Sequence, residues 1–199
     1  TKLIPNEIPY LYADQNLVKE WKKKIRNNSN LKVGLCWQST NYKKTIFKKH
    51  ESLSRIMPQK HLAILANLKS INFYNIQLDQ QQIEELKIYT FDKDFDKTNG
   101  AFFDTAAVIK NLDLVITTDT AIAHLAGGLG KPVWILIPYE AEWRWLDNRI
   151  DSPWYPTATL FRQTKNKDWA EVIIEVTKEL EKLILTNMES NYEKKKFYC

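Results

Sequence analysis

Thr118, Asp119, Thr120 and Ala121, followed one helical turn later by His124, are the residues of this chain best suited to hold an anion. They lie within Leu112-Asp-Leu-Val-Ile-Thr-Thr-Asp-Thr-Ala-Ile-Ala-His-Leu-Ala-Gly-Gly-Leu-Gly-Lys-Pro-Val-Trp134. Leu114 to Thr118 is a short apolar, β-branched run of the kind that forms a buried strand. Asp119 and Thr120 are residue types that cap helices. Gly127, Gly128 and Gly130 are expected to end that helix, with Pro132 preventing a restart. Val133 to Ile137 reads as a second buried strand. A strand–helix–strand unit this short pairs its strands in parallel through a right-handed crossover. The helix N-terminus then lies beyond the carboxyl end of the first strand, where unpaired N–H groups and the helix dipole favour negative charge. A phosphate-bearing ligand near Thr118–Ala121 is the expected chemistry. His124 shares the helix face of Thr120, and a nearby positive helix end favours its neutral form.

The elements that must position these residues are legible along the chain. Asp14 can cap a helix carrying Leu17, Val18, Trp21 and Ile25 on one face. Strands are expected at 32–37, 71–78, 87–91, 113–118, 133–137 and 158–162, the third being weak. Pro58 opens a helix with Leu62, Leu65 and Leu68 on its core side. A short solvated helix is expected over 79–87, and Asp104 is expected to cap a helix over 105–110. Asp168 with Glu171 forms a capping-box variant before a helix whose stripe runs from Trp169 to Ile184, and the chain from Thr186 is expected to fray. Strands alternating with helices from residue 32 to 185 define an α/β fold with a doubly wound, Rossmann-like parallel sheet. The divisions are residues 1–30, an N-terminal helix and linker; 31–185, the Rossmann-like domain; and 186–199, a polar tail.

The 199 residues include 44% hydrophobic and 27% charged, which allows a packed core and argues against global disorder. No apolar run approaches the ~20 residues needed to span a bilayer. Cys36 and Cys199 give no disulfide framework and fit a reducing, cytoplasmic setting, at the inner face of the membrane if the acceptor lies there. The chain begins at Thr1 and is expected to be the C-terminal part of a longer protein. The net charge of +5 is uneven, because residues 19–49 hold ten Lys/Arg against the single acid Glu20. That run reads as a nucleic-acid surface, as a collar around a phosphorylated small molecule, or as a solvated helix face. Asp92-Lys-Asp94 and Asp94-Phe-Asp96 match an Asp-x-Asp metal pattern but sit in a polar loop, and His50 and His61 lack a second ligand at metal spacing, so no metal site is expected. No glycine-rich dinucleotide or Walker loop is present.

Phe103-Asp-Thr-Ala-Ala-Val-Ile109, the 112–134 run, Trp143-Arg-Trp145, Ser152-Pro-Trp-Tyr-Pro156 and Leu160-Phe-Arg-Gln163 together resemble the bacterial family 9 glycosyltransferases, the heptosyltransferase-like enzymes. Val33-Gly-Leu-Cys-Trp37 resembles the first strand of that family's C-terminal domain. The nearest likeness is to the branch in which the transferase half follows tetratricopeptide repeats. The resemblance covers roughly residues 30–180 and is most specific over 103–163.

It implies a GT-B fold of two Rossmann-like domains, with this chain as the C-terminal domain that binds the nucleotide-sugar donor. It further implies metal-independent, inverting transfer from a nucleotide diphosphate sugar to an envelope glycan, lipid or protein acceptor. The donor is substrate and no cofactor is required; the catalytic base comes from an N-terminal partner domain, so the fragment alone is expected to be incomplete. The N–H groups of Thr120 and Ala121 and the Thr120 hydroxyl would hold the diphosphate, although Ala121 stands where heptosyltransferases often carry glycine. A basic residue among Lys43, Lys44, Lys48 and Lys49 would neutralise the phosphates. Gln77 would face ribose or base, Gln38 would reach the cleft, and Trp143 would stack on base or sugar. Each residue also has a purely structural reading: helix cap for Asp119 and Thr120, core histidine for His124, solvated lysines, and packed loop aromatics. The alternatives in function are a non-catalytic interaction module with the same fold, a basic nucleic-acid binder, and a sugar epimerase sharing the donor site.

Overall fold

The computed structural model describes residues 4–38, 56–78, 82–165 and 168–197. The strands β1 (Leu31–Cys36), β2 (Ile71–Asn75), β3 (Ile88–Tyr89), β4 (Leu114–Thr118), β5 (Val133–Ile137) and β6 (Ala158–Arg162) form one sheet of order β3-β2-β1-β4-β5-β6. All neighbouring strands are parallel. The order reverses between β1 and β4, which pair from Val33↔Leu114 to Cys36↔Thr117.

Side-chain alternation sorts the strands into two cores. Val33, Leu35, Phe73, Leu114, Ile116, Leu136 and Phe161 pack beneath a 3-10 helix (Gln59–Asn67) and the long helix α4 (Ala170–Phe197). Cys36, Tyr74, Val115, Val133, Ile135 and Leu160 face α1 (Gln15–Lys24), α2 (Phe103–Lys110) and α3 (Ala121–Gly128) on the other side. The strands are thus apolar on both faces, as a covered parallel sheet requires.

Several local expectations change. The segment expected as a helix over 79–87 is, over its described residues, a turn closed by an Ile83–Leu86 bridge. Asp104 lies inside α2 rather than capping it; Phe102, at φ 68, occupies the cap position with no side-chain bond. The Asp104 carboxylate accepts instead from Trp21 Nε1 at 2.9 Å, Asn99 Nδ2 at 2.9 Å and the Asp96 N–H at 2.9 Å. It ties α1, α2 and the intervening loop together. Gly127 and Gly128 fall within α3, and only Gly130, at φ 70, supplies the left-handed turn that ends it. A Cβ on Gly127 would meet the Tyr155 ring at 2.4 Å, so that glycine lets a loop aromatic lie directly on the helix. Helix α4 continues through residue 197 where fraying was expected. Upstream, the Tyr10 and Leu11 N–H groups both donate to the Gly128 carbonyl at 3.0 Å, strapping the N-terminal segment to the end of α3.

Candidate functional site

At the strand-order reversal a cleft of about 70 Å³ opens beyond the carboxyl ends of β1 and β4. Such crevices are where open α/β sheets take ligands. Of the residues expected there, Gln38, Gln77, Thr120 and Ala121 line it. Cys36, Asp96, Phe102 and Thr105, not among the expected binding residues, line it as well.

Thr120 caps α3 in an extended conformation, accepting the Ile122 N–H at 3.3 Å. The Thr117 hydroxyl donates to the Thr118 carbonyl at 2.9 Å, so in the 2.9 Å Thr117–Thr120 contact the hydrogen comes from Thr120. The Thr120 hydroxyl therefore has its hydrogen engaged, and the Ala121 N–H, at the helix start, is the donor that the intrahelical ladder leaves over. Ala121 is exposed and presents its methyl group to the cleft.

Thr118 faces away. Alternation places its side chain with Leu114 and Ile116, opposite the cleft wall, and its fully buried hydroxyl has no partner among the described residues. Asp119 is buried beside the start of α3 and raises the proton affinity of His124. His124 sits a turn deeper, half-buried, stacked on Trp145 with ring centroids 5.3 Å apart. The Tyr155 hydroxyl accepts from Tyr10 at 3.3 Å and shares a hydrogen bond with His124 Nδ1 at 2.9 Å. Burial, and less strongly Arg144, push the His124 pKa below its ordinary value against the pull of Asp119. The neutral form expected from the sequence is favoured, but desolvation is its first cause.

Gln77 is buried, and its Oε1 accepts the N–H groups of Trp37 and Gln38, each at 2.8 Å. It fastens the end of β1, a backbone role no sequence pattern announces. Trp143 stands 69% exposed in a 3-10 turn (Trp143–Trp145), edge-on to Trp154 and beneath Arg144, outside the cleft lining. Lys43, Lys44, Lys48 and Lys49 lie outside the described residues. The Asp96 carboxylate accepts from the Thr105 N–H at 3.0 Å and from its hydroxyl, and burial raises its pKa. Among the described residues no group of three or more His, Cys, Asp or Glu is placed to hold a metal ion.

Burial raises the Cys36 thiol pKa, and its neighbours within 3.7 Å are the Thr120 hydroxyl and the Gln38 carbonyl, neither of which is a base. A nucleotide-sized ligand needs roughly 300 Å³ or more. The cleft alone accommodates only a phosphate-sized part of one.

The fold is the Rossmann-like α/β architecture shared with GT-B glycosyltransferases. The E. coli ADP-heptose LPS heptosyltransferase II superposes with a TM-score of 0.55 at 14% identity, over 93% of this chain and 56% of that one. A glycosyl transferase of family 9 from Veillonella parvula gives a TM-score of 0.55 at 12% identity, over 88% and 53%. Identities this low establish the fold alone. In sequence, protein FlbA of Caulobacter vibrioides is 27% identical over 165 residues, 79% of this chain and 26% of FlbA. No family model matches the sequence. The chain thus spans about a quarter of FlbA and a little over half of each transferase. Among the described residues, no helix is long and apolar enough to cross a membrane.

Proposed function

We propose that this chain is the donor-binding, C-terminal half of an inverting, metal-independent glycosyltransferase that moves a sugar from a nucleotide diphosphate donor to an envelope glycan, lipid or protein. The observation that carries the reading is the cleft at the strand-order reversal, with the N-terminus of α3 as one wall. A diphosphate leaving group gains negative charge as the glycosidic bond breaks, and fixed backbone donors at a helix start stabilise that charge without reorganising. A cleft of this size, whose Asp96 carboxylate is held by Thr105, agrees with a half-site completed by a second domain that brings the base. The donor is substrate, with no resident cofactor, and the setting is the cytoplasm. The tetratricopeptide-linked arrangement belongs to the same proposal: a match covering 26% of FlbA is compatible with a longer protein around this domain.

A second reading, a non-catalytic interaction module, draws on the engaged Thr120 hydroxyl and the Ala121 methyl at the cleft. Calorimetric titration with UDP, GDP, ADP and CMP, with and without magnesium, separates the two. Saturable, metal-independent binding of one nucleotide, weakened by Thr120→Ala, supports the transferase. Absence of binding at millimolar nucleotide, in this chain and in the longer protein, overturns it in favour of the module.

A further inference from the structure

Only the first part of the basic run that the sequence singles out falls among the described residues. Its described part, Lys19 to Lys32, lies at the amino edge of the sheet, the far side from the cleft. Lys32 is the second residue of β1, whereas Cys36 and Gln38 at the other end line the cleft. At about 3.3 Å per residue the strand keeps the two apart. These cations therefore cannot collar a phosphate bound at α3.

They form a surface of their own. Lys19, Lys22, Lys23, Lys24, Arg26 and Lys32 line one open recess of about 770 Å³, closed at its back by Ile25 and Asn111. Lys24 pairs with Asp92 at 3.2 Å, Arg26 lies over the Tyr89 ring, and the Lys32 ammonium donates to the Asn28 and Asn30 carbonyls. Lys19, Lys22 and Lys23 make no ion pair among the described residues. The nearby acid Asp113 is engaged, accepting the Lys32 backbone N–H at 2.8 Å, and Glu20 lines a different recess with Trp21 and Asp104. Three lysines in the last turn of α1 complement its dipole. That accounts for a positive end but not for the convergence of Arg26 and Lys32 from the following segment.

The shape and composition select the occupant. No exposed aromatic ring lines the recess, so bases have nothing to stack on. Lysine outnumbers arginine five to one, giving several separate point charges on flexible stems rather than planar forks, which suits a ligand with several phosphate groups. Its one large apolar lining residue, Ile25, is buried, so nothing there inserts into a bilayer. We infer that this recess is a second anion site, for a ligand carrying several clustered phosphate groups, whether a soluble polyphosphate or a phosphorylated lipid headgroup. It stands independently of the donor reading.

The test titrates the chain with tripolyphosphate at low salt, and with vesicles of phosphatidylcholine alone or doped with phosphatidylinositol 4-phosphate. The variants are Lys22→Gln/Lys23→Gln and, separately, Thr120→Ala. The expected result is saturable tripolyphosphate binding that weakens at least about tenfold in the double lysine variant and is unchanged in Thr120→Ala. Binding only to doped vesicles, with the same lysine dependence, also supports the site and names the headgroup as its source. Undiminished binding in the lysine variant, loss in Thr120→Ala, failure of both probes to bind, or tighter binding of duplex DNA than of either probe would each overturn it. Both lysines are exposed on a helix surface, and glutamine preserves helix propensity, so unchanged circular dichroism identifies a folded variant.

Discussion

At the carboxyl edge of the sheet most polar side chains are buried and hydrogen-bonded into the frame, whereas at the amino edge the lysines of α1 and Arg26 are exposed and charged. Asn75, Gln77, Thr117 and Asp119 are all below a tenth exposed, and Gln77 and Thr117 are fixed to backbone groups of neighbouring turns. Lys19, Lys22 and Lys23 make no ion pair among the described residues. The first arrangement fixes donor positions before a ligand arrives. The second attracts by charge, adapts its side chains and weakens with salt. On the two readings proposed above, one sheet carries two kinds of anion recognition on opposite edges.

Substitutions can break this contrast, and their effects should fall steadily from the first edge to the second. The largest belongs to Trp145, fully buried beneath His124: Trp145→Ala should cost about 3–5 kcal/mol, read by denaturant unfolding, and should abolish nucleotide binding if it misplaces α3. Next comes Gln77→Leu, which strips the acceptor from two backbone N–H groups. A loss of ~2 kcal/mol or more, with faster hydrogen exchange at Trp37 and Gln38, is expected. Thr120→Ala removes a helix cap worth about 1 kcal/mol, measurable in thermal melts.

A smaller effect is the pH response of His124. Its folded pKa lies below the ordinary value, so the unfolded chain takes up the proton more readily. The corresponding stability is present above pH ~6.5 and is lost as pH falls through and below that value. His61, depressed chiefly by burial and then by Lys60, acts in the same direction. His124→Asn should therefore flatten only part of the Tm slope between about pH 7 and 5. Smallest of all, Lys22→Gln/Lys23→Gln should shift stability by no more than ~0.5 kcal/mol. A large loss there would mean that the amino edge is as structurally engaged as the carboxyl edge.

Much of the frame was legible in the sequence because buried parallel strands announce themselves as short apolar runs. β1, β4, β5 and β6 lie where those runs lie, and the turn between β4 and α3 follows from Thr120 as cap. What escaped was long-range. Asp104 looks like a local cap but bonds Trp21, 83 residues away. Gly127 looks like a helix stop but accommodates Tyr155. Gln77 gives no sign in the sequence that, besides lining the cleft, it holds the end of β1. Thr120 and Ala121 line the cleft at the strand-order reversal, together with Cys36, Asp96, Phe102 and Thr105, which only the packing of α2 beside α3 gathers there. The basic run gave no sign that its part before β1 lies at the edge of the sheet away from the cleft.

The placement of β1 also has a consequence for how the chain comes together. One of its flanks is satisfied by β2, the next strand in the chain, but the other waits for β4, with Val33 pairing with Leu114. Until that distant segment arrives, the central strand of the sheet is an open edge displaying Val33 and Leu35. Loop closure of this span is slow relative to local helix formation, and open apolar edges pair readily with other chains. During synthesis the vulnerable interval should therefore begin when β1 and β2 have paired and end only when β4 closes the central gap.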